Sequence, residues 1–246
     1  MDLFTKIMDE AATLPLIDHI TFTGLGETLL DKHLFERIRY TRSKLPHIML
    51  DIYTNGSQLT REKVDQLIES GLSVLYVSLN GVTAKQRSSI MYPHKPGYDD
   101  FDRVCSAVDY AIEKGKGRMK VVVKAIAEKE YFEVGDADEF NARWNGATIE
   151  GGNGYLHLEG NWAGATWDMR VAPQKACSRA LGQIMVLRDG RVSLCCFDSE
   201  GEEILGDLNH QTIRDVFNGP KAFGVREKHW NGRRNEIELC ANCSSI

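Results

Sequence analysis

The cysteines of this chain are concentrated in its last third. Of the six cysteines, Cys105 stands alone in the earlier part of the chain. The other five are Cys177, Cys195, Cys196, Cys240 and Cys243. In a reducing compartment, a cysteine group of this kind is more often a metal site than a set of disulfides. The spacing therefore predicts a metal centre within residues 177–243.

Four of these cysteines lie on three separate segments that can meet at one centre. Cys177 stands alone, Cys195 lies in a predicted hairpin, and Cys240 and Cys243 form a Cys-x-x-Cys pair. Four thiolates suit a tetrahedral structural zinc ion, and they also suit an iron-sulfur cluster. Because adjacent strand residues point to opposite faces, only one of Cys195 and Cys196 should face the metal. We expect it to be Cys195, with Cys196 as the alternative.

Asp198 follows the cysteine pair by two residues. Its carboxylate is a candidate general base, or a hydrogen-bonding group beside a metal ligand. An aspartate after a strand is also a common turn residue, and the sequence leaves both roles open. Cys105, by contrast, lies on the apolar face of a predicted helix and is expected in the core.

A second group of polar residues directly follows three predicted strands. The strand ends read Gly24-Leu25-Gly26-Glu27-Thr28, Thr54-Asn55-Gly56 and Ser78-Leu79-Asn80-Gly81. Glycines let the backbone approach a ligand closely, and the side chains of Glu27, Asn55, Ser78 and Asn80 can hydrogen-bond an amine, a carboxylate or a ribose. Such residues are ordinary in turns, but their recurrence in three successive units indicates a shared binding site.

These residues require a sheet whose strands end at one edge. Strands are predicted over 17–23, 47–54, 72–79, 119–127 and, more loosely, 147–157; helices are predicted over 31–43, 60–71, 101–113 and 136–144. This alternation is typical of an α/β fold with a parallel sheet, either open or closed into a barrel, and ligands bind at the carboxyl ends of such strands. Around Asp189-Gly190 a hairpin is predicted from strands 182–187 and 191–197.

Composition limits the class of protein. The 246 residues are 42% hydrophobic and 26% charged, which is typical of a folded chain of one large or two modest domains. The net charge of −5 disfavours nucleic acid or an anionic membrane as a partner. The chain lacks an apolar run of membrane-helix length, and its first residues lack the form of a signal peptide, so we expect a cytoplasmic location.

The strand-end motifs resemble those of radical S-adenosylmethionine (radical SAM) enzymes that carry a C-terminal SPASM or twitch region. Residues 24–30 resemble the family's glycine-glutamate-proline motif, with Thr28 in place of the proline, and residues 78–81 resemble its Ser-Leu-Asp-Gly turn, with Asn80 in place of the aspartate. The resemblance implies a partial parallel (β/α) barrel over 1–170 and a cluster-binding hairpin and helix region over 171–246. It also implies S-adenosylmethionine binding by Gly24, Gly26, Glu27, Asn55, Ser78 and Asn80.

The C-terminal cysteines resemble a twitch-type site. The resemblance implies that Cys177, Cys195, Cys240 and Cys243 hold one auxiliary four-iron four-sulfur cluster, since the full SPASM pattern needs more cysteines than this chain has. Together with the barrel half, it favours an oxidoreductase or a peptide- or small-molecule-modifying enzyme over a non-catalytic binding module with structural zinc. A reductant protein such as flavodoxin or ferredoxin is the implied partner.

One motif of the family is absent from these residues. The family generates a 5′-deoxyadenosyl radical at a second four-iron four-sulfur cluster, held by Cys-x-x-x-Cys-x-x-Cys after its first strand, but no cysteine precedes Cys105 here. Residues 1–8 resemble the family's first barrel helix, so we expect the missing loop to lie upstream of Met1. The chain as given is then an inactive, N-terminally truncated copy; the sequence leaves open that the cluster was instead lost in evolution.

Overall fold

A computed structural model describes residues 1–24, 26–127, 142–144, 154–158, 176–198 and 200–243, with the backbone alone for 125–127 and 154–158. The chain forms two compact units. One comprises residues 16–158, and the other combines residues 1–15 with those from 159 onward. The predicted boundary at residue 170 lies outside the described residues, so the division into a barrel region and a cluster region stays a prediction.

A five-stranded parallel sheet forms the centre of the first unit. Each strand pairs with the next in chain order: β1 (His19–Phe22), β2 (Met49–Thr54), β3 (Val74–Ser78), β4 (Lys120–Ala127) and β5 (Gly154–Leu158). The connecting helices are α2 (Leu34–Lys44), α3 (Arg61–Glu69), α4 (Ala84–Met91) and α5 (Phe101–Gly115). This arrangement confirms the predicted parallel α/β architecture.

The core of this unit lies between one face of the sheet and the helices. Alternate strand residues are fully buried there together with apolar residues of α2, α3 and α5; they include Leu50, Ile52, Leu75, Val77, Val121, Val123, Ile38, Leu67 and Val108. Because strand side chains alternate between faces, Tyr53, Tyr76, Ser78 and Lys124 lie on the opposite face, where they are half-buried.

Helix α4 was not predicted from the sequence. Its hydroxyl cap is regular, since Thr83 Oγ1 accepts the N–H of Gln86 at 3.3 Å. Its buried residues, however, are Gln86 and Arg87 rather than apolar side chains. A helix that buries polar groups has no apolar stripe, and therefore gives no periodic hydrophobic signal.

The second unit contains a three-stranded antiparallel sheet of β6 (Met185–Val186), β7 (Arg191–Ser193) and β8 (Ile204–Asp207). The predicted hairpin is present, and Gly190 adopts φ +93° in its turn. Its strands are shorter than predicted, because the chain turns after Ser193. Residues 204–207 add a third strand, which pairs with β7 through a register shift at Val192 and Ser193.

Short helices surround this sheet. They are α1 (Asp2–Ala11), α6 (Ser178–Gly182), α7 (Ile213–Asn218), α8 (Pro220–Trp230) and α9 (Glu238–Ala241), with a 3-10 helix at Arg234–Glu236. The ammonium of Lys6 donates to the carbonyl of Leu208 at 2.7 Å, and the N–H of Arg214 donates to Glu10 Oε1 at 3.3 Å. Helix α1 therefore packs within the C-terminal compact unit, and its assignment to the barrel region stays a prediction.

Two predicted elements fall largely outside the described residues. Of the helix predicted over 136–144, residues 142–144 are described and are helical, and of the strand predicted over 147–157, β5 begins at Gly154. Within the described parts of the chain, no helix is long and apolar enough to cross a membrane.

Candidate functional site

The four cysteines predicted as metal ligands line one cavity. Cys177 caps the start of α6, Cys195 follows β7, Cys240 lies in α9, and Cys243 follows that helix. The remaining wall of this cavity is mostly apolar, with two cations; these residues are Ala180, Leu194, Phe197, Leu239, Arg179 and Arg234. Three distant segments thus bring four thiols to one place.

Cys195 lines this cavity, whereas Cys196 is not among the lining residues described. The cause is not strand alternation, which the sequence analysis invoked. β7 ends at Ser193, and both cysteines lie in the turn that follows it. There the backbone N–H of Phe197 donates to Cys195 Sγ at 3.4 Å, which holds this sulfur within the turn.

Thiolates are ligands of structural zinc ions and also of iron-sulfur clusters. Among the described residues, no three histidine, cysteine, aspartate or glutamate side chains are arranged to hold one metal ion. A zinc ion with Zn–S bonds of about 2.3 Å requires its four sulfurs within roughly 4 Å of each other. A four-iron four-sulfur cluster takes the same four thiolates at wider separation. The chemistry of the four thiols that line the cavity therefore fits an iron-sulfur cluster.

The thiols of Cys195 and Cys240 are protonated when no metal is bound. Burial raises the pKa of Cys195 to about 11 and that of Cys240 to about 12. Metal coordination must therefore displace protons and overcome this burial. Binding at this site is consequently coupled to proton release.

A buried histidine holds the segment of Cys177. The side chain of His229 is 1% exposed, and its Nδ1 accepts the backbone N–H of Cys177 at 3.3 Å. Burial, together with the charge of Arg234, lowers the pKa of His229, so the ring is neutral, as an Nδ1 acceptor must be. No metal-ligand spacing marks the histidines in the sequence, so the role of His229 follows from its contacts in the structure.

Asp198 holds the segment of Cys195. Its Oδ1 accepts the N–H of Glu202 at 2.8 Å, and its Oδ2 accepts the N–H of Glu203 at 3.0 Å and the hydroxyl of Ser193 at 2.9 Å. The side chain is buried and is not among the described cavity-lining residues. These contacts support the turn role; the role of a general base stays a prediction.

Arg234 holds the Cys-x-x-Cys pair. Its Nη2 donates to the carbonyl of Cys240 at 3.1 Å and to that of Cys243 at 3.0 Å, and the residue is 2% exposed. The sequence analysis did not identify it, because two arginines among polar residues look like a solvated segment. A buried charge next to ligands cannot be distinguished from an exposed one by sequence pattern alone.

In the parallel sheet, Glu27 connects the first two predicted turns. Its Oε1 accepts the hydroxyl of Thr54 at 2.5 Å and the N–H of Leu29 at 3.0 Å, while its Oε2 accepts the N–H of Asn55 at 2.8 Å. Gly24 and Gly26 adopt φ angles of +147° and +101°, which glycine tolerates. Both residues are exposed, so their backbone is open to a ligand. Glu27 thus positions the turns through contacts within the protein.

The third turn carries Ser78 and Asn80. Ser78 ends β3 on the face opposite the core, in register with Lys124 of β4. The Lys124 ammonium lies 3.3 Å from the hydroxyl of Tyr53 and within 4.7 Å of the centroids of two stacked rings, Tyr53 and Tyr76. The sequence analysis missed this cation, which lies on the same face as Ser78.

A buried ion pair supports this turn. Arg87 donates to both carboxylate oxygens of Asp100, at 2.7 and 3.1 Å, and to the carbonyl of Leu79 at 2.7 Å. Burial opposes ionisation of Asp100, but the hydrogen bonds and charge of Arg87 outweigh it and lower the pKa of the carboxyl. Gly81 permits this close packing, since a Cβ there would lie 2.5 Å from the backbone nitrogen of Arg87.

Comparison with protein families identifies both halves of the chain. Residues 2–126 match the model of the radical SAM superfamily. Residues 177–244 match the model of the SPASM iron-sulfur cluster-binding domain. The two matched segments contain the strand-end turns and the four-cysteine cavity, respectively.

Two curated proteins are similar in sequence. A tungsten-containing aldehyde ferredoxin oxidoreductase cofactor-modifying protein of Pyrococcus furiosus is 28% identical over 131 residues, which cover 53% of this chain and 36% of that protein. An S-adenosyl-L-methionine-dependent 2-deoxy-scyllo-inosamine dehydrogenase of Niallia circulans is 22% identical over 245 residues, which cover 99% of this chain and 80% of that protein. The first match thus spans about a third of the Pyrococcus furiosus protein, and the second match spans most of the Niallia circulans protein.

Two solved structures share the fold. BtrN in complex with AdoMet and 2-DOIA matches with a TM-score of 0.66 at 19% identity, over 100% of this chain and 80% of its own. anSMEcpe with bound AdoMet and the Cp18Cys peptide matches with a TM-score of 0.59 at 16% identity, over 99% of this chain and 82% of its own. At these identities, the likeness establishes the fold.

Proposed function

Because the chain belongs to the radical SAM superfamily, we propose that it is an oxidoreductase, or a peptide- or small-molecule-modifying enzyme, with one auxiliary iron-sulfur cluster. The convergence of four thiols from three segments on one cavity carries this proposal. The turns on the parallel sheet lie in the segment that the superfamily model matches, which is consistent with the same proposal.

We assign the cluster ligands to Cys177, Cys195, Cys240 and Cys243, with Cys196 as the alternative to Cys195. A bound four-iron four-sulfur cluster supplies one-electron transfer at this site. His229, Asp198 and Arg234 hold the three ligand segments in place through the backbone. The apolar wall of the cavity limits the access of water to the thiolates.

The S-adenosylmethionine site is assigned to the carboxyl ends of the first three strands. Gly24 and Gly26 offer exposed backbone groups, and Ser78 and Asn80 offer side-chain hydrogen bonds. The positive charge of Lys124 lies on the same sheet face as Ser78, which suits a bound carboxylate. Asn55 and Glu27 shape the turns. The dehydrogenase relative is named for its dependence on S-adenosylmethionine, which supports this assignment.

The substrate is proposed to be a small molecule or a peptide, since the similar structures hold 2-DOIA in one case and a peptide in another. A reductant protein such as flavodoxin or ferredoxin is the proposed electron source. The excess of acidic over basic residues supports a substrate other than nucleic acid or an anionic membrane. We propose a cytoplasmic location, where thiols are kept reduced.

A structural zinc site in a non-catalytic module is the alternative of another class. It is not favoured, because residues 177–244, which carry the four thiols, match the model of an iron-sulfur cluster-binding domain. The match of residues 2–126 to an enzyme superfamily also weighs against a purely structural role.

We propose that these 246 residues alone do not cleave S-adenosylmethionine. Of the six cysteines, the four proposed ligands leave Cys105 and Cys196, and Cys105 is buried in α5. Two thiols cannot replace the three that hold an open-site cluster in the family.

The test is 5′-deoxyadenosine formation after anaerobic reconstitution with iron and sulfide and addition of dithionite. We expect none from the 246-residue chain, and formation from the same chain preceded by a strand and a Cys-x-x-x-Cys-x-x-Cys loop. Formation by the 246-residue chain that Cys240→Ala abolishes would show that the C-terminal site does the chemistry itself. Inactivity of the extended chain with both clusters loaded would contradict the proposed enzyme.

A further inference from the structure

Arg234 is a deeply buried cation in the wall of the four-cysteine cavity. It is 2% exposed, whereas Arg179, the other cation in this wall, is only half-buried and lies 5.0 Å over the ring of Phe197. Its neighbour Arg233 is 44% exposed and pairs with Glu227 and Glu236 on the surface. Two adjacent arginines therefore occupy different environments.

Backbone contacts fix the position of the Arg234 guanidinium. Its Nη2 donates to the carbonyls of Cys240 and Cys243, which are the two ends of the Cys-x-x-Cys turn. Within this turn the N–H of Cys243 donates to the carbonyl of Cys240 at 3.3 Å. The planar guanidinium thus holds both cysteines of the pair to one rigid group. A shift of Arg234 would move two proposed ligands together.

The same placement brings a permanent positive charge to the cavity. If Cys177, Cys195, Cys240 and Cys243 held a four-thiolate cluster, its reduction would add one negative charge beside buried side chains. A fixed cation in the wall stabilises this more negative state relative to the oxidised one. Nearby charge and hydrogen bonding are the means by which proteins set the potentials of such clusters.

We propose that Arg234 is a positioning residue of the cluster site, which braces Cys240 and Cys243 and raises the reduction potential of the bound cluster through its charge. This inference rests on the proposed function, because it requires the four cysteines to hold a cluster. The two roles of Arg234 can be separated by substitution. Lysine keeps the charge but loses the planar donor group, whereas glutamine keeps a donor and loses the charge.

The test is a mediated redox titration of the reconstituted 246-residue chain, with iron content measured for each sample. We expect Arg234→Gln to shift the midpoint potential to more negative values, and Arg234→Lys to stay close to the wild type. Arg233→Gln, the matched control, removes the same charge from the surface and should leave the potential unchanged. Both Arg234 variants should release iron to a chelator faster than the wild type does.

The outcomes distinguish this inference from the proposed function. A wild-type chain that takes up no iron contradicts the proposed function itself. If the iron-loaded Arg234→Gln chain has the midpoint potential of the wild type, the inference is overturned. The inference is also overturned if Arg233→Gln shifts the midpoint potential by as much as Arg234→Gln does. If Arg234→Gln, Arg234→Lys and Arg234→Met all fold but take up no iron, the residue acts only in assembly of the site, and the electrostatic role is overturned.

Discussion

The carboxylate of Glu27 accepts the backbone N–H of Asn55 at 2.8 Å, so that one side chain joins the turn after β1 to the turn after β2. The same carboxylate accepts the hydroxyl of Thr54 and the N–H of Leu29. Glu27, which the sequence predicts to bind a ligand, thus also stabilises the two turns. The backbone of Asn55 depends on the hydrogen bond to Glu27 for its position.

Replacement of Glu27 by Gln should destabilise the sheet edge. The carboxylate of Glu27 accepts hydrogen bonds at both of its oxygens. In the glutamine variant an NH2 group replaces one of these oxygens, so at least one donor loses its acceptor. We expect the free energy of unfolding in urea to fall by about 1–3 kcal/mol. Glu36→Gln, at an exposed site on α2, serves as the control and should change it by less than about 0.5 kcal/mol. Equal effects of the two variants would contradict the assigned role.

Replacement of Asp100 by Asn should be more damaging. It leaves Arg87, which is fully buried, without its anionic partner, and such losses typically cost about 3–5 kcal/mol. Urea unfolding of Asp100→Asn against Asp102→Asn, an exposed neighbour in the first turn of α5, measures this cost. A similar stability of the two variants would show that the ion pair contributes little.

Acid should reveal the same ion pair. The pKa of Asp100 is lower in the folded protein than the usual value, so its contribution to stability is present above the unfolded-state pKa and is lost as the pH falls through the folded-state pKa. The wild type should therefore lose stability more steeply below about pH 4 than Asp100→Asn does. Parallel pH profiles of the two proteins would contradict this assignment.

Single cysteine replacements should separate ligands from bystanders. Cys177→Ala, Cys195→Ala, Cys240→Ala and Cys243→Ala should each lose iron on reconstitution, because each removes one of four thiolates. Cys105→Ala and Cys196→Ala should retain the iron of the wild type, since Cys105 is in the core of the other unit and Cys196 is not among the described lining residues of the cavity. Loss of iron in Cys196→Ala with retention in Cys195→Ala would exchange the roles of these two residues.

Metal should stabilise residues 177–243 selectively. The buried apolar cluster around the cysteines is small. Two of its members, Cys177 and Cys240, are proposed ligands, and Leu194 directly precedes a third proposed ligand, Cys195. Hydrogen exchange of this region should therefore slow markedly when the cluster is bound, while strands β2 and β3 change little. Equal protection with and without metal would show that the region folds without its metal.

The sequence predicted the parallel sheet well, because its strands carry continuous apolar residues and its helices carry an apolar stripe. Val121 and Val123, for example, are buried as their pattern implies. It did not predict α4, whose buried residues are Gln86 and Arg87, since burial of a charge depends on a partner that is distant in the chain.

The cysteine spacing similarly indicated a metal centre but not the groups that hold it. Arg234, His229 and Lys124 carry no motif, and their roles depend on which backbone or ring they meet in three dimensions. The preference for Cys195 came from strand alternation, although a turn after Ser193 is what separates the two cysteines. Local patterns therefore identified ligands, and long-range packing determined their support.

The identity of the bound metal tests the account most directly. The 246-residue chain, reconstituted anaerobically with iron and sulfide, should bind about four irons and four sulfides and absorb broadly at the blue end of the visible spectrum. Cys240→Ala, treated identically, should be colourless. One zinc per chain, with no colour and no iron uptake, would contradict the cluster and with it the proposed function.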